Sequence, residues 1–573
     1  MKDEFYPAWY EEIPPEKSYR SILKWGASDQ FKHPNRRLFR MMKETFKMTD
    51  EDFKTPKKMG LETVSAVIPI GLSEKQVSCF ENILGKENVL RDTYSRLKLS
   101  YGKTMIDLMR LRNGIIENIP ELVLQPRDKE DVRKIVEYCN LEKIPVYVFG
   151  GGSTVTRGTE CVKGGVSLDT RVHMKRVLKL SETNQTVTVE PGIQGPALES
   201  MLNHAPNLFN THRAYTCGHF PQSFEYSSVG GWVVTRGAGQ NSTYYGKIEN
   251  LVIAQEYITP AGTIKTAEYP ACSTGPSIDE IMLGSEGAYG ILVSVTLKIF
   301  RYRPQNRQRF SFMFRNWEDA KNCVREVMQG EFGYPSVFRL SDPEETDVAI
   351  KLYGFEGSLI DTFLSLRGFK PGERCLLLGT ADGERGFARH IDKMVHHVCR
   401  RYGAMSTTGY PVRKWEQSRF TDPYMRDDMQ DFGIITDTLE CAVNWEQLEH
   451  VYKTVRSFCK SRPDTVCMTH LSHFYPQGVN LYFIFIGKMD SIEEYLLYQA
   501  GLLDHIQKSG AAMSHHHGIG KMTSPWLEAQ IGKNQLEIFK ALKKHFDPNN
   551  ILNPGGTLAL DLPEEQKRNL WTD

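Results

Sequence analysis

The chain has 573 residues, 40% of them hydrophobic and 25% charged, with a net charge of +1. That is length for several cores, and it leaves no charge surplus to grip a nucleic-acid backbone. Eleven scattered cysteines, an odd number without a C-x-x-C pair, fit reduced thiols in an intracellular protein better than a disulfide framework or a zinc site.

No apolar run reaches the roughly 18 residues of a membrane span. The opening MKDEFYPAWYEEIPPEK lacks the apolar core of a secretory signal, and the Leu570–Asp573 end is not a peroxisomal address. Residues 1–115 read as a helical region. Within it, the basic, Met-rich stretch from Arg36 to Met48 fits a helix packed on the main body, with a membrane-surface helix as the alternative.

Residues 116–304 read as an α+β ligand-binding domain. Leu122 to Gln125 is a predicted strand, and Asp128 a predicted helix cap, with Val132, Ile135, Val136 and Cys139 on one face. A second strand from Pro145 ends in Phe149, Gly150, Gly151, Gly152, Ser153, Thr154 and Val155. Three successive glycines let backbone N–H groups converge on a phosphate or pyrophosphate. The loop lacks the Gly-Lys-Ser/Thr of a P-loop and the G-x-G-x-x-G of a Rossmann turn.

Strands follow at Val166–Leu168, Val177–Leu180 and Thr186–Glu190. The second informative stretch runs from Gly218 to Gly239. It carries Pro221, Gln222, Ser223, Glu225, Ser227, Ser228, Gly231, Thr235, Arg236 and Ala238, and the pattern resumes at Tyr245. A long Gly-rich segment inside a domain suits binding, and its apolar residues argue against a linker. Gly284, Glu286, Gly287, Gly290 and Ile291 form a third cluster leading into a strand. Three such loops suggest one extended ligand wrapped by backbone.

Residues 305–510 read as a mixed α/β cap over the ligand, and 511–573 as a helical segment returning to the first domain. Pro525 to Phe546 is expected to be one helix. The string His515-His516-His517 is the least expected in the chain. In an extended conformation only His515 and His517 share a face, and no Cys or acidic residue adjoins them, so no metal is expected. Imidazole titrates near neutrality, which favours a catalytic or substrate-orienting role.

The order GGGST, P-x-S-F-E-Y-S-S-V-G-G-W, YG-x-I-E-N-L and GSEGAYGI resembles the FAD domain of the vanillyl-alcohol oxidase superfamily. The resemblance implies that the three loops hold FAD. Ser153 and Thr154 stand where covalent relatives place a His, so the flavin is expected to be noncovalent. The triple His followed by G-x-G-K resembles the alkyldihydroxyacetonephosphate synthases, which form the ether bond of ether lipids.

That family resemblance implies exchange of the acyl group of acyl-dihydroxyacetone phosphate for a long-chain fatty alcohol through a flavin N5 adduct, without net redox change. It implies an active-site Tyr482 and substrate-binding Arg426 and Arg339. Whether Tyr482 or the His tract is the base stays open. A flavin-dependent 2-hydroxyacid dehydrogenase and a non-catalytic flavin protein are the alternatives. Peripheral membrane docking is expected, at the cytoplasmic face, with a peroxisomal setting for a eukaryotic source; a homodimer is left open.

Overall fold

The computed structural model describes Pro7, Trp9, residues 12–555 and residues 558–562. Most of the first eleven residues and the Leu570–Asp573 end, read above for targeting signals, lie outside the described residues.

The first layer is a four-stranded sheet ordered Val89–Leu90, Leu122–Leu124, Val166–Asp169, Val146–Phe149. Its last three strands are parallel. Asp128 caps the Lys129–Glu142 crossover helix by accepting from the N–H groups of Glu130 and Asp131, as its position predicts. Val132, Ile135, Val136 and Cys139 of that helix are buried against the sheet. This unit delivers the glycine loop to the C-terminal end of Val146–Phe149, where open α/β sheets receive ligands. The helical N-terminal region supplies the sheet's antiparallel edge strand, Val89–Leu90.

A five-stranded antiparallel sheet follows, ordered Val177–Ser181, Thr186–Val189, Ile291–Lys298, Val252–Thr259, Gly262–Lys265. Its Thr259–Gly262 hairpin closes at the Pro-Ala-Gly turn.

The second half is built on a seven-stranded antiparallel sheet, from Gln308–Phe314 to Gly478–Lys488 in sequence. Phe312, Leu377, Leu481 and Phe483 face the helices Trp317–Gln329, Arg385–Arg401, Leu448–Ser461 and Ile492–Lys508 and form the largest core. Strand side chains alternate, so Tyr482 and Ile484 point to the opposite face. A one-residue slip would exchange these faces and expose phenylalanines and leucines worth about 1.5–3 kcal/mol each. The register that positions the site is therefore held by the core behind it.

One expectation needs correction, and another is upheld against its alternative. The Pro525–Phe546 helix is broken: Leu527–Ile531 ends at Gly532, whose φ of +81° starts a new helix, Lys533–Phe546. The Arg36–Phe46 helix buries Leu38, Phe39, Met41, Met42 and Phe46 against the second half, so its apolar face is not a membrane-surface face.

Candidate active site

The glycine loop packs against the second Gly-rich stretch. A Cβ on Gly151 would lie 2.2 Å from the Tyr226 carbonyl oxygen, and one on Gly150 would lie 2.5 Å from Ser228 Oγ. Gly152 has a φ of +65°. Among the described residues, no hydrogen bond engages the backbone N–H groups of Gly150, Gly151, Gly152, Ser153 or Thr154. A run of free N–H donors at a strand end is an anion nest. Phe149 lies buried below it, under the Arg171 guanidinium, and Val155 is half-buried.

The second stretch folds as a turn and the short helix Val229–Val234. Ser228 Oγ caps this helix on the Gly231 N–H, Thr235 Oγ1 donates back to the Gly231 carbonyl, and Ser227 Oγ accepts from Trp232 Nε1. The Ser223 carbonyl holds the N–H groups of Tyr226 and Ser227, one turn after Pro221. Gln222 donates to the Arg419 carbonyl, and Glu225 meets Tyr424 Oη at 3.4 Å, which ties this stretch to the second half. Burial pushes the Glu225 carboxyl up. Ala238 is buried.

In the third cluster Gly284 and Gly287 both have positive φ. A Cβ on Gly287 would meet nothing within 4 Å, so this loop borders open space, while Gly290 and buried Ile291 belong to the strand behind it.

Three residues expected at the cofactor have their side chains engaged elsewhere in the protein. Arg236 turns outward to Glu280 and Glu249. Tyr245 directs its hydroxyl to Asp382 of the second half. Glu286 accepts from the N–H groups of Ile519 and Gly520, clamping the end of the His tract to the third loop. Lys521, the lysine of that G-x-G-K, reaches buried Glu160 at 3.4 Å, so its part is also structural.

The His tract is not extended. Backbone N–H groups of His515, His516 and His517 all converge on the Glu440 carboxylate, at 2.7, 3.0 and 3.0 Å. Strand N–H groups alternate sides, so three in a row on one carboxylate require a bend. This overturns the expectation that His515 and His517 share a face. His515 Nε2 pairs with Tyr475 Oη at 2.7 Å. His516 and His517 instead approach Tyr482, with ring centroids at 6.1 and 5.7 Å.

Tyr482 also stacks on His470 at 4.8 Å and donates to Thr438 Oγ1 at 3.0 Å. Burial pushes its phenol up to about 12. The imidazoles move the opposite way: burial and neighbouring positive groups hold His515 and His516 well below the usual histidine value. At neutral pH Tyr482 keeps its proton and His516 is unprotonated.

The arginines differ. Arg339 Nη2 is bound by Glu345 Oε1 at 2.5 Å, and Glu345 Oε2 lies 3.2 Å from His470 Nδ1. Its charge is compensated, which counts against a leading role in phosphate binding. Arg426 sits in the last turn of Asp422–Met429 with Nε and Nη2 buried and without a hydrogen-bond partner. Its nearest carboxylate oxygen, Asp427 Oδ1, is 3.7 Å away. A buried guanidinium with donors to spare suits an anionic ligand. Among the described residues, no hydrogen bond joins Arg426 to the tyrosine–histidine cluster.

Sequence reasoning missed His219, His470, His473, Glu345 and Glu440. His219 is buried, packs against Trp232, and has neither ring nitrogen hydrogen-bonded. His473 has a φ of +53° and binds Ser242 Oγ. The signals were present in G-H-x-P and T-H-L-S-H, but only the fold brings them to the tract. Glu440, His516 and His517 place one ligand atom each within 4.8 Å of one another. The acidic partner lacking in sequence is thus supplied in space, although Ser514 Oγ and three backbone N–H groups already occupy the carboxylate.

Residues 120–268 match the FAD binding domain family, and residues 303–557 match the C-terminal domain of FAD linked oxidases. The chain is 29% identical over 483 residues to an alkyldihydroxyacetonephosphate synthase of Dictyostelium discoideum, covering 81% of this chain and 77% of that one. A mitochondrial cytochrome-type D-lactate dehydrogenase of Arabidopsis thaliana is 25% identical, covering 76% and 73%. A solved alkyldihydroxyacetonephosphate synthase superposes with a TM-score of 0.78 at 25% identity, over 94% of this chain and 99% of the other. The free N–H nest and the open third loop fit the pyrophosphate of FAD, and His219 offers polar atoms nearby in the second stretch. With an FAD binding domain followed by the C-terminal domain of FAD linked oxidases, the chain is an FAD-dependent enzyme with the vanillyl-alcohol oxidase type of fold, and over most of its length it resembles the alkyldihydroxyacetonephosphate synthases.

Proposed function

We propose that the enzyme makes ether lipids, exchanging the acyl group of acyl-dihydroxyacetone phosphate for a fatty alcohol at C1. The C1–O bond to the fatty acid breaks, a C1–O bond to the alcohol forms, and the alcohol's proton leaves with the carboxylate. No electrons are gained or lost. The observation that carries this reading is Tyr482 packed against both His470 and the His516–His517 pair. A phenol that keeps its proton beside unprotonated imidazoles can divide the labour of proton transfer.

When bound, FAD, held noncovalently by the nest, supplies the reactive centre at which C1 is activated. His516 takes a proton at C1 or from the alcohol, and Tyr482 Oη donates one towards the leaving carboxylate. Arg426 holds the phosphate through its free donors. Half-buried Ile484 and Met468 continue from Tyr482 to Val348 and Leu352, an apolar path for the chains.

That path leads towards the Leu359–Leu366 helix, where Leu359, Ile360, Phe363 and Leu366 are 91%, 54%, 52% and 83% exposed. Exposed Arg37 and Arg315 border this region, Arg367 and Lys370 directly follow the helix, and Glu356 and Glu373 flank it. Arg37 reaches the Leu352 carbonyl, and Arg315 reaches that of Arg367. An apolar helix in a basic surround suits peripheral docking on an anionic membrane, at the cytoplasmic face.

The test is anaerobic. Holoenzyme given acyl-dihydroxyacetone phosphate and labelled fatty alcohol should form labelled ether without an electron acceptor. Flavin bleaching by lactate or glycolate, with no ether formed, would establish the dehydrogenase reading instead.

A further inference from the structure

Glu440 is a fully buried acidic side chain in the middle of the Ile434–Asn444 strand. Among the described residues, no lysine or arginine lies within ion-pair distance of it; its only such neighbours are His516 Nδ1 at 3.6 Å and His517 Nδ1 at 3.9 Å. What holds the charge is a set of donors, four of them from one loop: Ser514 Oγ at 2.7 Å and the successive N–H groups of His515, His516 and His517, joined by the Asn480 side-chain amide from the neighbouring strand at 2.9 Å. This is an anion nest filled by the protein's own carboxylate. Losing it would leave three backbone N–H groups in the site without their acceptor, so the bend depends on it.

Glu440 is also the direct cross-strand partner of Tyr482, which in turn pairs with His470 on the next strand. Directly opposed residues keep their Cβ atoms about 4.5–5.5 Å apart. The anchor of the tract and the phenol it serves are therefore fixed to one another by sheet register. We propose that Glu440 is the positioning residue of this site. It bends the tract so that His516 and His517, rather than His515, face Tyr482, and its charge stabilises the imidazolium formed when either ring takes a proton. The catalytic part rests on the ether-forming reading above; the positioning part does not.

The experiment is hydrogen–deuterium exchange on holoenzyme, with steady-state kinetics on the same samples. Backbone amides 515–517 should be slow to exchange in the parent. In Glu440→Gln they should exchange about a hundredfold faster, with FAD content and the amides of Gly478–Lys488 unchanged. Turnover should fall at least about tenfold with KM for acyl-dihydroxyacetone phosphate nearly unchanged, and Glu440→Asp should recover part of both. Fast exchange of these amides in the parent overturns the proposal even if the glutamine variant fails to fold. Lost protection with undiminished kcat overturns it too. Lost protection where the parent itself makes no ether supports the positioning role and removes the proposed reaction.

Discussion

At the scale of single residues, the site turns on which imidazole meets Tyr482. Tyr482→Phe keeps the ring packed against His470 and His516 and removes only the hydroxyl, so folding and FAD binding should persist. Turnover should drop about 10²–10⁴-fold, the usual contribution of a positioned acid or base. His516→Ala should be comparably damaging, and His515→Ala milder, because His515 is committed to Tyr475. Kinetics on purified holoenzyme decide this. Equal, small losses at all three histidines would reduce the tract to a packing feature. The sequence pointed to Tyr482 and the tract, yet it assigned the wrong pair of histidines. The error was physical: an extended chain was assumed, and Glu440, 75 positions before the tract, bends it.

At the scale of elements, the Leu359–Leu366 helix is the clearest surface feature. Its LIDTFLSL pattern has four apolar side chains facing out while Leu364 packs inward. The double change Leu359→Asp, Leu366→Asp should leave the fold intact, since both side chains are solvent-facing. It should abolish flotation with anionic phospholipid vesicles and lower turnover on vesicle-borne substrate, but not on detergent-dispersed substrate. Unchanged flotation contradicts the docking role; conversion of a dimer to a monomer would make this face a subunit interface.

Nothing in the sequence announces this helix, because eight residues of apolar-rich pattern do not reveal which face is covered. The glycine loops were legible for the opposite reason. Gly150 and Gly151 stand where any Cβ would strike the second stretch, so composition alone exposes them. Arg339 and Arg426 could not be ranked in sequence, because the carboxylate that neutralises Arg339 is recognisable only in three dimensions.

At the scale of the molecule, the buried histidines couple stability to pH. Burial lowers His219 to about 3 and His473, His515 and His516 well below their unfolded value. Below about pH 6.5 the unfolded chain binds protons that the folded one refuses, so stability rises with pH across that window and is lost on acidification. Each such group contributes a slope of up to about 1.4 kcal/mol per pH unit. The Tm of the holoenzyme should fall continuously from pH 7 to pH 5. A Tm independent of pH over that range would mean that these imidazoles are already solvated in the folded state.

The two halves meet where flavin loops, tyrosine and histidines converge, and the account stands or falls on a redox-neutral exchange at C1. The most direct measurement uses fatty alcohol labelled with 18O, incubated anaerobically with holoenzyme and acyl-dihydroxyacetone phosphate. The ether product should carry the 18O in full, and the flavin should end in the redox state in which it began. Ether product with unlabelled oxygen would show that the C1–O bond never broken was the substrate's own, and would contradict the account.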